Sequence, residues 1–217
     1  MIITESKPLQ DIVDSLKSYT KIFLVGCGEC ATTCKTGGEP EILKMKQELE
    51  LQGKIIIGYC IPSAPCVAAK IKTEIAKNMP LLRQSEAVLI LSCGLGAQSF
   101  KDNDRLGLAA FPACDTIFGA VMDAKGDFYE KCSFCGDCVL KITGGICPIT
   151  LCAKSLLNGP CGGMNKGKCE VDKSKDCAWV LIYRELERSK KLDSLKEIRG
   201  PKDFRKSSKP HKLVMKK

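Results

Sequence analysis

Four short apolar runs punctuate the first half of the chain: 21–26 (KIFLVG), 54–58 (KIIIG), 87–91 (AVLIL) and 108–111 (LAAF). They are continuous rather than alternating, which predicts strands buried on both faces, as in a parallel sheet. Between the first two lies 39–52, with Ile42, Leu43, Met45 and Leu49 at mostly helical spacing. A second helix is predicted over 67–77, closed by Pro80. A third, over 9–17, precedes the first strand and carries the stripe Leu9, Ile12, Val13 and Leu16. Strands alternating with helices of this length predict a doubly wound α/β domain of about 120 residues.

Past that domain the pattern changes. From Cys132 to Cys177 the chain is dense in Cys and Gly and has no long apolar run. A segment this short buries little core, so a bound metal or cluster has to contribute to its folding. Helical spacing returns over 178–195, where Trp179, Leu181, Ile182, Leu186 and Leu192 supply an apolar surface, and Gly200-Pro201 stops any continuation. The expected organisation is an α/β parallel-sheet domain over 1–125, a small cysteine-rich, cluster-stabilised domain over 126–200 and a basic tail over 201–217.

Composition sharpens this picture at one point, the thiols. The 217 residues contain 15 cysteines and 1 histidine, His211. Soft, sulfur-only donor sets suit iron–sulfur clusters, and zinc sites very often recruit histidine as well. No charged-then-apolar leader opens the chain and no run reaches a membrane span, so a cytoplasmic protein is expected. Its thiols would then be reduced and available as ligands.

Every predicted strand runs into a cysteine or stops just short of one: Cys27, Cys60, Cys93 and Cys114. In open parallel sheets ligands collect at this carboxyl edge. Cys27, Cys30 and Cys34 share a loop of small residues and are the strongest candidates. A cubane needs a fourth thiolate, for which Cys93 is the first choice, with Cys60 and Cys66 next. Gly26-Cys27-Gly28-Glu29-Cys30-Ala31 also fits the dinucleotide fingerprint G-x-G-x-x-A. The second strand, however, ends Gly58-Tyr59-Cys60 with no acid for a ribose, so a nucleotide site is not expected.

In the second region Cys132, Cys135 and Cys138 have ferredoxin-type spacing. Cys147-Pro148 resembles the closing Cys-Pro of such a run, whose cysteine serves the other cluster in two-cluster ferredoxins. Cys152, Cys161, Cys169 and Cys177 complete eight metal-ligand candidates, enough for two cubanes, or for one cubane and a zinc site.

The formal charge of +9 is concentrated at one end: from Arg184 onward 13 Lys/Arg stand against 5 Asp/Glu, a net of +8. Phe204 is the only aromatic residue after Tyr183, so base stacking is nearly absent and nucleic acid is not the expected partner. A solvated arm or a strap over an acidic partner subunit fits better.

The stretch 132–179 contains Cys-x-x-Cys-Gly-Asp-Cys-Val-Leu, Gly-Gly-Ile-Cys-Pro, Cys-Ala-Lys-Ser-Leu-Leu-Asn-Gly-Pro-Cys-Gly-Gly, Gly-Lys-Cys-Glu-Val and Asp-Cys-Ala-Trp. These closely resemble the MetV-type small subunit of bacterial methylenetetrahydrofolate reductases, the methylenetetrahydrofolate reductase C-terminal domain family. Gly-Cys-Gly-Glu-Cys-Ala and Ser-Cys-Gly-Leu-Gly-Ala-Gln extend the likeness over about residues 10–200. The resemblance implies a non-catalytic electron-transfer subunit of an oxidoreductase. Its partner would be a flavin-bearing MetF-type catalytic subunit that reduces methylenetetrahydrofolate in one-carbon metabolism, and an upstream electron donor protein would feed it. With this, the donor sets predict roughly two or three 4Fe–4S clusters, with zinc at one site as the alternative. Two rivals are a zinc-binding structural adaptor and a thiol–disulfide or corrinoid-linked redox protein using Cys60 or Cys93 as a reactive thiol.

Overall fold

The computed structural model describes residues 1–215. The chain divides into two compact units, Met1–Phe118 and Gly119–Lys217. The first is built on strands β2 (Lys21–Val25), β3 (Ile55–Cys60), β4 (Ala87–Ile90) and β5 (Ala109–Pro112), all parallel, in the order β3-β2-β4-β5. The first strand of the chain, β1 (Ile2–Ser6), lies apart from them in the order β1-β6-β7, where β6 is Cys114–Met122 and β7 is Phe128–Cys132.

The two faces of the parallel sheet follow the period-2 rule. Ile22, Leu24, Ala87, Leu89 and Leu91 pack against Ile12 and Leu16, at α1 (Leu9–Ser15), and against Ile42, Met45 and Leu49 of α3 (Glu39–Leu51). Phe23, Val25, Val88 and Ile90 face the other way. They meet Ile71 and Ile75 of α4 (Ala68–Lys77), Leu82 of α5 (Met79–Leu82) and Phe100 of α6 (Gly94–Asn103). Burying a side chain of this size contributes about 1.5–3 kcal/mol, so these two layers give the first unit a core of its own.

Helix α3 starts where Glu41 Oε2 accepts the Gly38 N–H (3.0 Å), with Pro40 in its first turn. Pro80, expected only to close a helix, instead opens the short α5.

In the second unit β6 pairs antiparallel with β7, from Gly119 opposite Cys132 to Met122 opposite Phe128. The strand-poor reading of this region missed that hairpin. The Phe134 ring lies close over Gly119, where a Cβ would fall 2.3 Å from it and the exposed ring would have to swing aside. Helix α7 (Pro148–Leu151) is one turn long, and α8 spans Ala178–Arg188.

The helix predicted over 178–195 therefore ends early. Lys190 takes a left-handed conformation (φ 57°), and the Lys191 N–H turns back to the Leu186 carbonyl (2.7 Å). A 3-10 turn, Leu192–Leu195, follows. The basic tail is also not wholly solvated: Lys202 is buried, and Phe204–Ser207 forms a second 3-10 turn capped by Asp203. Residues from Ser208 to Met215 are exposed. Among the described residues, no helix is long and apolar enough to cross a membrane.

Candidate functional site

The order β3-β2-β4-β5 places a topological switch between β2 and β4. The chain leaves β2 toward β3 on one side and returns to β4 on the other. Ligands of open α/β sheets bind outside the strand ends at such a crevice. Two of the predicted ligands flank it: Cys27 lies two residues past Val25, and Cys93 follows β4 as the N-cap of α6.

Cys30 and Cys34 bound the one-turn helix α2 (Cys30–Thr33). Burial pushes the Cys27 thiol up. The backbone N–H groups of Ala31 and Glu29 oppose that, and the charges of Cys30 and Cys93 add to the rise. Cys114 is pushed up to about 12, chiefly by burial and against a hydrogen bond with Thr36, with Asp115, Cys93 and Cys34 adding repulsion. Cys27 thus feels Cys30 and Cys93, and Cys114 feels Cys93 and Cys34. Cys114 had been noted only as a thiol at a strand end, because an isolated cysteine carries no spacing signal.

Backbone closes around this group. The Ile2 N–H donates to Cys30 Sγ (3.5 Å), the Cys34 thiol lies 3.9 Å from the Ile2 carbonyl, and Thr4 and Thr36 share a buried hydrogen bond of 2.6 Å. A Cβ at Gly37 would lie 2.0 Å from the Leu91 carbonyl oxygen, and one at Gly26 would lie 2.5 Å from that of Gly37. Only glycine lets the cysteine loop approach the end of β4 so closely.

Cys60 does not join. Its side chain belongs to the opposite face, among Phe23, Val25 and Ile71, where burial pushes the thiol up to about 12 with Glu74 adding to the rise. That packing sets Cys60 apart from this group, and the upward shift is the reverse of what a reactive thiol needs. Cys66 is exposed, just before α4.

The second unit holds its eight candidates in two sets. Cys132 ends β7, and the loop to Cys138 contains two left-handed residues, Phe134 (φ 55°) and Gly136 (φ 73°). Such turns aim backbone N–H groups inward to form anion-binding concavities. Here the Phe134 N–H donates to Cys132 Sγ (3.4 Å), and a backbone bond from Asp137 is the main cause that draws the Cys135 thiol down. Cys147 is the N-cap of α7, which packs against β7.

Cys152, Cys161, Cys169 and Cys177 line one cavity of about 20 Å³, together with Lys154, Glu170, Met164 and Trp179. Lys154 and Glu170 form an ion pair at its wall. Glu170 is held low first by Lys154 and then by the Cys161 thiol, while Cys161 and Cys169 both help to raise Lys154. Neither charged residue was predicted, since nothing in their spacing marks them. The single histidine, His211, is exposed in the terminal segment.

Among the described residues no group of three or more His, Cys, Asp or Glu side chains stands at the spacing that holds a metal ion. The donor chemistry is nonetheless uniform. It consists of thiols in three sets, with backbone N–H groups directed at Cys27, Cys132 and Cys135, and this suits a thiolate-bound group.

Parallel strands that deliver thiols to a switch point, followed by a cysteine-dense unit, make this a cysteine-rich α/β protein. Residues 111–205 match the family described as methylene-tetrahydrofolate reductase C terminal. No curated protein matches the chain.

Proposed function

We propose that the chain is an iron–sulfur electron-transfer subunit serving a flavin-bearing, MetF-type methylenetetrahydrofolate reductase subunit. The observation that supports the redox reading is that Cys27 and Cys93 flank the switch point of the first unit, with Cys30 and Cys34 at the ends of α2 just after Cys27. The family match over 111–205 supports the class of partner.

A bound iron–sulfur cluster supplies one-electron transfer. The chain's own residues do the rest. Cys27, Cys30, Cys34 and Cys93 would hold one cluster, with the N–H groups of Ala31 and Glu29 stabilising thiolate charge in a desolvated crevice. Cys132, Cys135, Cys138 and Cys147, carried on β7, its following loop and the cap of α7, would hold another. For Cys152, Cys161, Cys169 and Cys177 the narrow cavity favours a second reading, a single zinc ion. A zinc ion fits a space of about 20 Å³, whereas a cubane would need these side chains to spread.

Anaerobic purification with the coexpressed flavin subunit tests the assignment. Iron and acid-labile sulfide should be present in equal amounts, together with the partner, and zinc analysis separates the two readings of the third set. Cys135→Ser should abolish flavin reduction through this chain while dye-driven turnover of the flavin subunit persists. Native electron relay in that variant, or wild-type protein devoid of iron, would overturn the proposal.

A further inference from the structure

Lys202 has no part in the reading above, yet it is buried beside the ferredoxin-type loop. Its side chain is 4% exposed. Lysine is almost never buried without a partner. Its Nζ donates to the Asp137 carbonyl and lies 4.0 Å from the Asp137 carboxylate.

That carboxylate is shared, because Lys206 Nζ sits 3.4 Å from Asp137 Oδ1. Two ammonium groups against one carboxylate leave a surplus of positive charge, and Lys202 also helps to draw the Cys135 thiol down. The backbone fixes the arrangement. A Cβ at Gly136 would fall 2.6 Å from the Lys206 carbonyl oxygen, so the loop meets the 202–207 segment at a position only glycine satisfies. Asp203 caps the turn that carries Lys206 by accepting the Arg205 N–H.

We propose that Lys202 is a positioning and charge-compensating residue for the cluster held by Cys132, Cys135 and Cys138, and that residues 202–207 are the strap that seats it. The inference rests on the electron-transfer reading of the previous section. A cluster with four thiolate ligands is anionic, and one-electron reduction, with the electron taken from a low-potential donor and no proton moved, makes it more so. A fixed ammonium that is itself shielded from water favours the reduced form more than the oxidised one, because its attraction is less screened than that of a surface lysine. Removing the ammonium therefore makes that cluster harder to reduce.

The test compares Lys202→Met, which keeps most of the side-chain volume, with Lys202→Arg, which keeps the charge. Both are made in the full chain, coexpressed with the flavin subunit and purified anaerobically. Iron and sulfide are quantified, and the clusters are titrated with dithionite and followed by electron paramagnetic resonance. At the potential where the wild-type cluster is half reduced, the reduced-to-oxidised ratio in Lys202→Met should fall about tenfold, equivalent to about 59 mV for a one-electron couple. Lys202→Arg should stay within about twofold of wild type, since the cation is retained. Loss of iron from the Met variant with retention in the Arg variant supports the same role, because charge is what separates them. Full iron content with unchanged potentials, or equal iron loss in both variants, overturns the assignment of Lys202 alone. Wild-type protein without iron and sulfide overturns the electron-transfer reading and this inference with it, and is seen before any variant is titrated.

Discussion

The first unit hangs its cysteines on strand ends that have a core of their own, while the second carries them on loops with little core beneath. Around the parallel sheet, Phe23, Leu24, Leu89, Ile90 and Phe100 are fully buried in two layers. In the second unit the buried apolar cluster is Cys177, Trp179, Ile182 and Leu186, so one of its members is itself a candidate ligand. Trp179 is fastened by its indole N–H, which donates to the Leu156 carbonyl (3.0 Å). In the first unit, then, the fold positions the thiols. In the second, on the proposed reading, a group held by the thiols would position the fold.

The largest test of that contrast is removal of the bound groups. Hydrogen exchange on chelator-stripped protein should show protection collapsing across 119–215 while the amides of β2 and β4 stay protected. Persistent protection of α8 after complete stripping would break the comparison, because the small cluster around Ile182 would then suffice. Core substitutions probe the same point at finer scale. Leu89→Ala should cost about 3 kcal/mol in loaded and stripped protein alike. Ile182→Ala should cost a similar amount when loaded and nothing measurable once stripped. Urea unfolding followed separately in each unit distinguishes the two patterns.

The contrast also explains what could be read before the fold was known. The four parallel strands were legible because unbroken runs such as 87–91 have few alternatives, and two helices were legible from Ile42, Met45, Leu49, Ile71 and Ile75. Cys27, Cys30 and Cys34 announced themselves by spacing, and Cys93 by the end of its strand. The β6–β7 hairpin was hidden because Ile117, Val121, Met122 and Tyr129 are exposed, which erases the alternation of a half-buried sheet. Cys114 was legible only as a thiol at a strand end and Lys202 not at all, for another reason: the neighbours of each are distant in the chain, and a lysine after Gly-Pro reads as tail. The premature end of α8 at Lys190 carries no Gly to mark it.

Glycine substitutions sharpen the comparison with smaller effects. Gly37→Ala should cost about 1–3 kcal/mol, because the added carbon collides with the Leu91 carbonyl and the cysteine loop must move off β4. Its signature is loss of iron from the first unit together with lowered stability. Gly159 has φ 108° but open space around it, so Gly159→Ala should cost only about 1 kcal/mol of backbone strain. Equal iron loss from both variants would argue against a fold-imposed site in the first unit.

The smallest effect concerns Cys60, the first-unit thiol that faces the core rather than the crevice. Burial pushes it up to about 12, from an ordinary value of 9.0. Below pH 9 the thiol is protonated in both folded and unfolded chains and adds no pH dependence. Between about 9 and 12 the unfolded chain sheds the proton and the folded one keeps it, so stability falls by about 1 kcal/mol per pH unit. Cys60→Ala removes that slope while adding a constant packing loss, and only the slope is diagnostic. Urea midpoints from about pH 8 to 10 read it as a difference between wild type and variant, in which the ordinary titration of lysine and tyrosine cancels. In the same stripped protein Cys60 should resist alkylation while Cys132 and Cys161, both exposed, react at once. An unchanged slope with rapid labelling of Cys60 would mean that the first unit opens as readily as the second, and the distinction between a fold that places its thiols and thiols that place their fold would be lost.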